Sequence, residues 1–309
     1  MSDTFTHNRV RWQQRCWRLF RKILTAYLIL VIVLAFLQRK LMYHPRTATS
    51  LPVAQFPDVT QLFRAARDIE LTCDDGKTIR GWLLTKSESS SAESTRPLIL
   101  YFHGNAGDRS GRTGWYQIFS QLDVDVLAVD YHGYGDSEGT ASESAIELDC
   151  DAAWRFATTE LGRSPQDIWI VGTSLGGAAA IYLASKQCAA GAEPAALVTI
   201  ATFSSMVDAG SSHYPWLPVR FVLVDRYPSD QRIEHVTCPI LMLHGNVDRV
   251  VNQEFGQKLF AAAPKKSANG IPGRWVNLPG VGHNDILHLA DEIIRREMGQ
   301  LMAKVHGKR

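Results

Sequence analysis

Cysteine is scarce and scattered in this chain, with five in 309 residues and no Cys-x-x-Cys pair. That pattern indicates neither a thiolate zinc site nor a dense disulfide framework. Cys73, Cys150, Cys188 and Cys238 are expected as buried thiols, one pair of which could be bridged in an oxidising compartment. A strong charge imbalance is missing as well: 33 basic against 31 acidic residues leave a net charge of +2, so a body-wide nucleic-acid surface is not expected. No internal repeat is visible. What the chain does have is a 45% hydrophobic content, enough for a sizeable buried core.

Acidic residues are nearly absent from the N-terminus, where Asp3 stands alone against Arg9, Arg11, Arg15, Arg18, Arg21 and Lys22. Ile23 to Leu37 then runs without any charge. As a helix this run covers about 22 Å at ~1.5 Å per residue, short of a ~30 Å hydrocarbon core, but Leu19 and Phe20 extend it if Arg21 and Lys22 snorkel. The sequence QRKLMYHP follows without a small-x-small cleavage site, which favours an uncleaved single-pass anchor over a removed signal peptide. Six basic residues before the run, against Arg39, Lys40 and Arg46 after it, predict a cytoplasmic N-terminus and an extracytoplasmic body.

Residues 1–45 are therefore expected as basic segment and anchor, 46–66 with Pro52 and Pro57 as a linker, and 67–306 as the folded domain. Asp68 to Thr72 and Thr78 to Thr85 form a predicted hairpin around Asp74-Asp-Gly-Lys77, followed by the solvated loop KSESSSAESTR. Short apolar strands then alternate with helical stretches. Strands are predicted at 98–102, 124–130, 167–171, 196–201, 239–243 and 274–278, and helices at 111–122, 142–161, 175–187 and 252–262 and at the C-terminus. The alternation predicts an α/β fold with a mostly parallel eight-stranded sheet and helices on both faces.

Two stretches carry the Gly-x-Ser-x-Gly spacing of a nucleophile elbow, at Gly135-Asp-Ser137-Glu-Gly139 and Gly172-Thr-Ser174-Leu-Gly176. An elbow needs a strand that ends at the turn, small neighbours around a strained serine, and a helix directly behind it. Ser174 meets all three conditions, with DIWIV leading into Gly172 and Gly176-Gly-Ala-Ala-Ala180 following. Ser137 lies several residues beyond its strand, between Asp136 and Glu138, whose charges would oppose a developing oxyanion. The stretch GYGDSEG is accordingly expected to be a glycine-rich scaffold loop.

A triad built on such an elbow runs nucleophile, acid, histidine along the chain. Asp248 lies just past the strand PILML and His283 just past the last strand, at the carboxyl edge of the predicted sheet. His288 is the fallback base, and Asp285 a less favoured acid. His103 and His244 precede glycines at strand ends and are expected to be structural. The turn in Phe102-His-Gly-Asn-Ala-Gly107 can offer the backbone N–H of Asn105, with Ala106 as its neighbouring alternative, opposite that of Leu175 as an oxyanion hole.

Together YFHGNAG, DYHGYGDSEG, GTSLGG, LHGNVDRVV and GVGHND resemble the α/β-hydrolase superfamily. More narrowly they resemble its membrane-anchored serine-hydrolase branch, which includes the bud-emergence homologue proteins and is related to protein depalmitoylases. The resemblance covers residues 67–303 and the anchor. It implies Ser174 as nucleophile, His283 as base, Asp248 as orienting acid, and hydrolysis of an ester, thioester or amide through an acyl-enzyme. His132 departs from the Arg that such proteins often carry in this loop. An insert at about 203–236 is expected as a short lid, whose Tyr214, Trp216, Leu217, Phe221 and Leu223 either suit an apolar acyl group or pack the lid onto the body. The expected partners are a small-molecule or acylated, lipid-like ester and the membrane, with no nucleic acid, metal or organic cofactor required. An α/β-hydrolase peptidase and a non-catalytic membrane-tethered binding protein are the rival readings. A peptidase would want charged groups for peptide ends, of which no clear set is present, and a binding protein has no need of a strained serine.

Overall fold

The computed structural model describes residues 2–87 and 96–308, with side chains from Trp12 onward; most of the predicted serine-rich loop lies outside the described residues. Eight strands form one sheet: β1 (Ala65–Thr72), β2 (Thr78–Thr85), β3 (Leu98–Phe102), β4 (Asp125–Val129), β5 (Ile168–Thr173), β6 (Ala196–Ile200), β7 (Ile240–Gly245) and β8 (Arg274–Leu278). Their spatial order is β8-β7-β6-β5-β3-β4-β2-β1. Strands β3 to β8 are mutually parallel, and the β1–β2 hairpin joins antiparallel at one edge. This is the predicted α/β-hydrolase architecture.

The sequence of β3 shows why the sheet is buried on both sides. Leu98, Leu100 and Phe102 enter one apolar layer while Ile99 and Tyr101 enter the other, following the two-residue period of a strand. On the first side lie α3 (Glu143–Arg155), α4 (Leu175–Ala189) and α8 (Gln253–Ala262); on the second lie α2 (Thr113–Ser120) and α9 (Asp291–His306). The stretch 203–236 between β6 and β7 folds as three short helices, α5 (Met206–His213), α6 (Val219–Val222) and α7 (Ser229–Ile233). The five cysteines are all free thiols. Cys188 and Cys238 are neighbours, and the hydrogen bond between them brings the Cys188 thiol down to about 6.

The N-terminal third meets one expectation and departs from another. The apolar run is part of a continuous helix, α1 (Ser2–Met42), and Trp12–Met42 is the one stretch among the described residues long and apolar enough to cross a membrane. Residues 46–66, expected to be a linker, pack onto the body instead. His44 and Pro45 pair with Ala106 and Gly107 in a parallel ladder, and Val53, Val59 and Phe63 enter the second apolar layer. Proline-rich sequence and weak periodicity masked this packing, because a segment bound by irregular hydrogen bonds has no period to detect.

The stretch GYGDSEG is held by a buried ion network. Arg109, 2% exposed, donates to Asp130 at 2.5 Å and to Asp136 at 2.6 Å, and also to the Leu51 carbonyl at 3.1 Å. Ser137 accepts from the Arg80 amide at 2.8 Å and donates to the Asp130 carbonyl at 3.1 Å, so its hydroxyl is committed to joining the β2 edge to the loop. Removing one partner of a buried pair strands the other charge. Arg109→Ala should therefore lower the unfolding free energy by about 3–5 kcal/mol. Arg155→Ala, which breaks an exposed pair with Asp74, should cost under about 1 kcal/mol. Denaturant titration of the two variants in detergent measures the difference.

Candidate active site

Between β5 and α4 the chain turns on Ser174 alone, with φ 53° and ψ −117°. A non-glycine residue seldom adopts this backbone unless its surroundings enforce it. Here two glycines do so. A Cβ on Gly176 would stand 2.0 Å from the Phe102 carbonyl oxygen, and one on Gly172 would stand 2.0 Å from the Gly176 oxygen. Helix α4 can start so close to the sheet only without those side chains. Backbone bonds then fix the turn: Ser174 donates to the Ile200 carbonyl at 2.9 Å, and its own carbonyl accepts from Thr202 Oγ1 at 2.8 Å.

Strands β7 and β8 end at the same edge of the sheet, so their loops meet above Ser174. Gly245 lets them pack, since a Cβ there would lie 2.1 Å from the Val281 oxygen. The outcome is a continuous hydrogen-bonded chain. His283 Nε2 lies 3.1 Å from Ser174 Oγ, and His283 Nδ1 lies 2.7 Å from Asp248 Oδ2. With the carboxylate ionised, Nδ1 carries the proton and Nε2 is left to accept from the serine hydroxyl.

Asp248 is itself oriented. Its Oδ1 accepts from the amides of Val250 at 2.9 Å and Val251 at 2.8 Å. Burial works against its charge, but hydrogen bonds from His244 and His283 and the Val251 amide prevail and hold the carboxyl well below the usual carboxylate range. His244, expected to be merely structural, thus contributes to the site: its Nε2 donates to the Val251 carbonyl at 2.9 Å and sits 3.4 Å from Asp248 Oδ2. Its spacing of four residues before Asp248 was the available signal in the sequence.

The remaining candidates are distributed as follows. Gly104 backs directly onto the serine, with its notional Cβ 3.6 Å from Ser174 Cβ. The Asn105 side chain is turned to the end of α1, donating to the Met42 carbonyl at 2.5 Å and accepting from Tyr134 Oη at 2.8 Å. Asn105 and Leu175 line the same cavity as Ser174 and His283. Leu175, as the first residue of α4, has no intrahelical partner for its N–H. Ala106 also lines the cavity but is drawn into the ladder with His44. Asp285 accepts from the Gly282 amide at 2.7 Å and shapes the histidine loop, while His288 is exposed.

His132 belongs to a separate buried cluster. It lies between Asp149 at 2.5 Å and Asp75 at 3.1 Å, and Cys73 Sγ donates to Asp149 at 3.5 Å. Burial opposes its charge, yet the two carboxylates raise its proton affinity. Cys73, His132 and Asp149 come within metal-ligand reach of one another, but they already bond among themselves.

Ser174 opens into a cavity of about 910 Å³. Its walls are mostly apolar: Leu34 and Leu41 from α1, Leu217, Val219 and Leu223 from the lid, and Leu287 from the histidine loop. Tyr214 and Trp216 also line it. Phe221 does not; it is 80% exposed, contrary to the expectation that it faces an acyl group.

The sequence pattern of the alpha/beta hydrolase family matches residues 99–303. An uncharacterized protein of Mycobacterium tuberculosis is 37% identical over 248 residues, which cover 80% of this chain and 81% of that one. Lysophosphatidylserine lipase ABHD12 of Danio rerio is 37% identical over 196 residues, covering 58% of this chain and 51% of the lipase, so only about half of that protein is represented. Among solved structures, the Pyrococcus furiosus esterase Pf2001 superposes with a TM-score of 0.62 at 15% identity, covering 84% of this chain and 98% of the esterase. At that identity the likeness establishes the fold alone.

The depressed Asp248 predicts a pH signature. A carboxyl whose pKa is lower folded than unfolded adds stability above its unfolded pKa of about 3.9, and that contribution is lost as pH falls towards the folded value. The stability gap between wild type and Asp248→Asn should therefore be widest at neutral pH and shrink below about pH 4. Urea titrations of both proteins at neutral and acid pH would measure it; a gap that widens in acid contradicts the assignment.

Proposed function

Because the chain belongs to the alpha/beta hydrolase family, we propose that it is a membrane-anchored serine hydrolase that cleaves carboxylic esters or thioesters of lipid-like acyl groups through an acyl-enzyme. The observation that carries this reading is the 3.1 Å approach of His283 Nε2 to Ser174 Oγ, backed by Asp248 and set in an apolar cavity.

In this mechanism Ser174 Oγ attacks the substrate carbonyl carbon while His283 Nε2 takes the hydroxyl proton. Charge moves onto the carbonyl oxygen, which the N–H groups of Asn105 and Leu175 receive; each such donor is worth about 10²–10³ in rate. Asp248 stays ionised and stabilises the imidazolium. As the tetrahedral species collapses, the alcohol or thiol leaves with the proton from His283. Water then enters, His283 accepts its proton, and the acyl group departs as the acid while Ser174 regains its hydrogen.

The cavity volume of about 910 Å³ falls at the upper end of the ~300–1,000 Å³ typical of small-molecule sites. Its apolar walls support a long acyl chain. A lysophospholipid is a reasonable first substrate class, given the activity named for ABHD12. The catalytic unit comprises residues 67–306 with 46–66 folded onto it. The surplus of basic residues before the apolar run supports a cytoplasmic N-terminus and an extracytoplasmic catalytic domain.

A fluorophosphonate probe should label wild type and Ser137→Ala but not Ser174→Ala. Turnover of a long-chain ester should fall roughly a thousandfold or more in Ser174→Ala and His283→Ala. Labelling that persists in Ser174→Ala and disappears in Ser137→Ala would reverse the assignment.

A further inference from the structure

The lid carries large apolar side chains that the described residues leave half or more exposed. Tyr214, Trp216 and Phe221 are 53%, 52% and 80% exposed. Scattered surface apolar residues need no explanation, but these share one short segment with exposed Val224 beside an equally exposed helix.

That segment is bonded along α1. Tyr27 Oη donates to the Trp216 carbonyl at 2.9 Å. Gln38 donates to the Val222 carbonyl at 3.3 Å and accepts from the Val224 amide at 2.7 Å. Lower down, Arg39 holds Asp225 through two bonds of 2.9 and 3.0 Å, and Tyr43 reaches Asp225 at 3.0 Å and Tyr227 at 2.7 Å. Tyr27, Val31, Leu34, Gln38 and Met42 recur at helical spacing and are the partly or fully covered face of α1; Ile29, Leu37 and Phe36 on other faces stay exposed.

The position of Tyr27 is decisive. It lies within the uncharged run Ile23–Leu37, about 18 Å of helix rise from Arg39 at ~1.5 Å per residue. If α1 crosses a membrane, whatever touches Tyr27 lies at hydrocarbon depth. The mouth of the cavity lies there too, because Leu30, Tyr214 and Trp216 both line it and remain about half exposed. Hydrocarbon offers no partners to backbone groups, and here the Trp216 and Val222 carbonyls and the Val224 amide find theirs on Tyr27 and Gln38. Arg220, whose guanidinium carbon lies 5.4 Å from the Phe221 ring, can snorkel to the headgroups.

We propose that lid residues 214–224 are embedded with α1 in the leaflet on the domain side, so that the cavity opens to lipid acyl chains rather than to water. The anchor is then one wall of the site as well as a tether. The inference about substrate entry rests on the hydrolase reading; the depth of the lid does not.

The test separates the two. In a background with both Cys16→Ser and Cys188→Ser, which removes the exposed thiol and the half-buried low-pKa one, the full chain carrying Phe221→Cys is labelled with an environment-sensitive fluorophore and reconstituted in phosphatidylcholine vesicles. Lys265→Cys, exposed at the opposite edge of the sheet, is the control. The probe at 221 should be quenched by lipids with doxyl-labelled acyl chains and shielded from aqueous iodide, with the reverse at 265. A probe at 221 that behaves like the control would overturn the proposal whether or not the protein is a hydrolase. In parallel, Phe221→Asp should lower turnover of a long-chain ester held in vesicles by about tenfold, given the cost of a charge in hydrocarbon, and change that of a short soluble ester by under about twofold. Equal loss on both substrates would contradict entry from the leaflet.

Discussion

A peptide carbonyl that leaves no room for a methyl group sets the geometry of this molecule. The Phe102 oxygen stands 2.0 Å from where a Cβ of Gly176 would be, so α4 meets the sheet backbone to backbone. That approach compresses the β5–α4 connection into one residue and forces Ser174 into its unusual conformation. It also brings the start of α4 up to the turn after β3, so that two separate backbone segments flank the serine. An ordinary loop would leave the hydroxyl free to be taken up by nearby backbone groups, as that of Ser137 is by the Arg80 amide and the Asp130 carbonyl.

From that fixed point the parallel sheet does the rest. Because β5, β7 and β8 run in one direction, serine, aspartate and histidine arrive at one edge although they are far apart in the chain. The lid and α1 close over the same edge, and the acidic partner that joins them, Asp225, is buried beneath Arg39 and Tyr43. Site and anchor are thus built on one set of contacts. A change in the position of α1 is bound to alter the cavity, since Leu34 and Leu41 form part of its wall.

Much of this was legible from residue order alone. The central strands are apolar and bounded by polar turns, and the glycines around Ser174 mark a close approach that the flanks of Ser137 do not. What the sequence concealed depended on contacts between distant segments. Nothing in Pro52 or Pro57 announces that residues 46–66 pack onto the body, because their bonds run to Asp68, Trp82, Arg109 and Asp136. His244 resembled any strand-end histidine until Asp248 folded back towards it. Phe221 looked like a cavity residue by composition, and only the direction of a single helical turn decided otherwise.

The central claim is that Ser174 forms the covalent bond to the acyl group. Incubating the full chain with a long-chain ester, quenching with acid during turnover and mapping the modified peptide by tandem mass spectrometry tests it directly. The account predicts an acyl adduct on Ser174 that disappears as substrate is exhausted. An adduct on Ser137, or release of the alcohol with no adduct under conditions where deacylation is blocked, would contradict it.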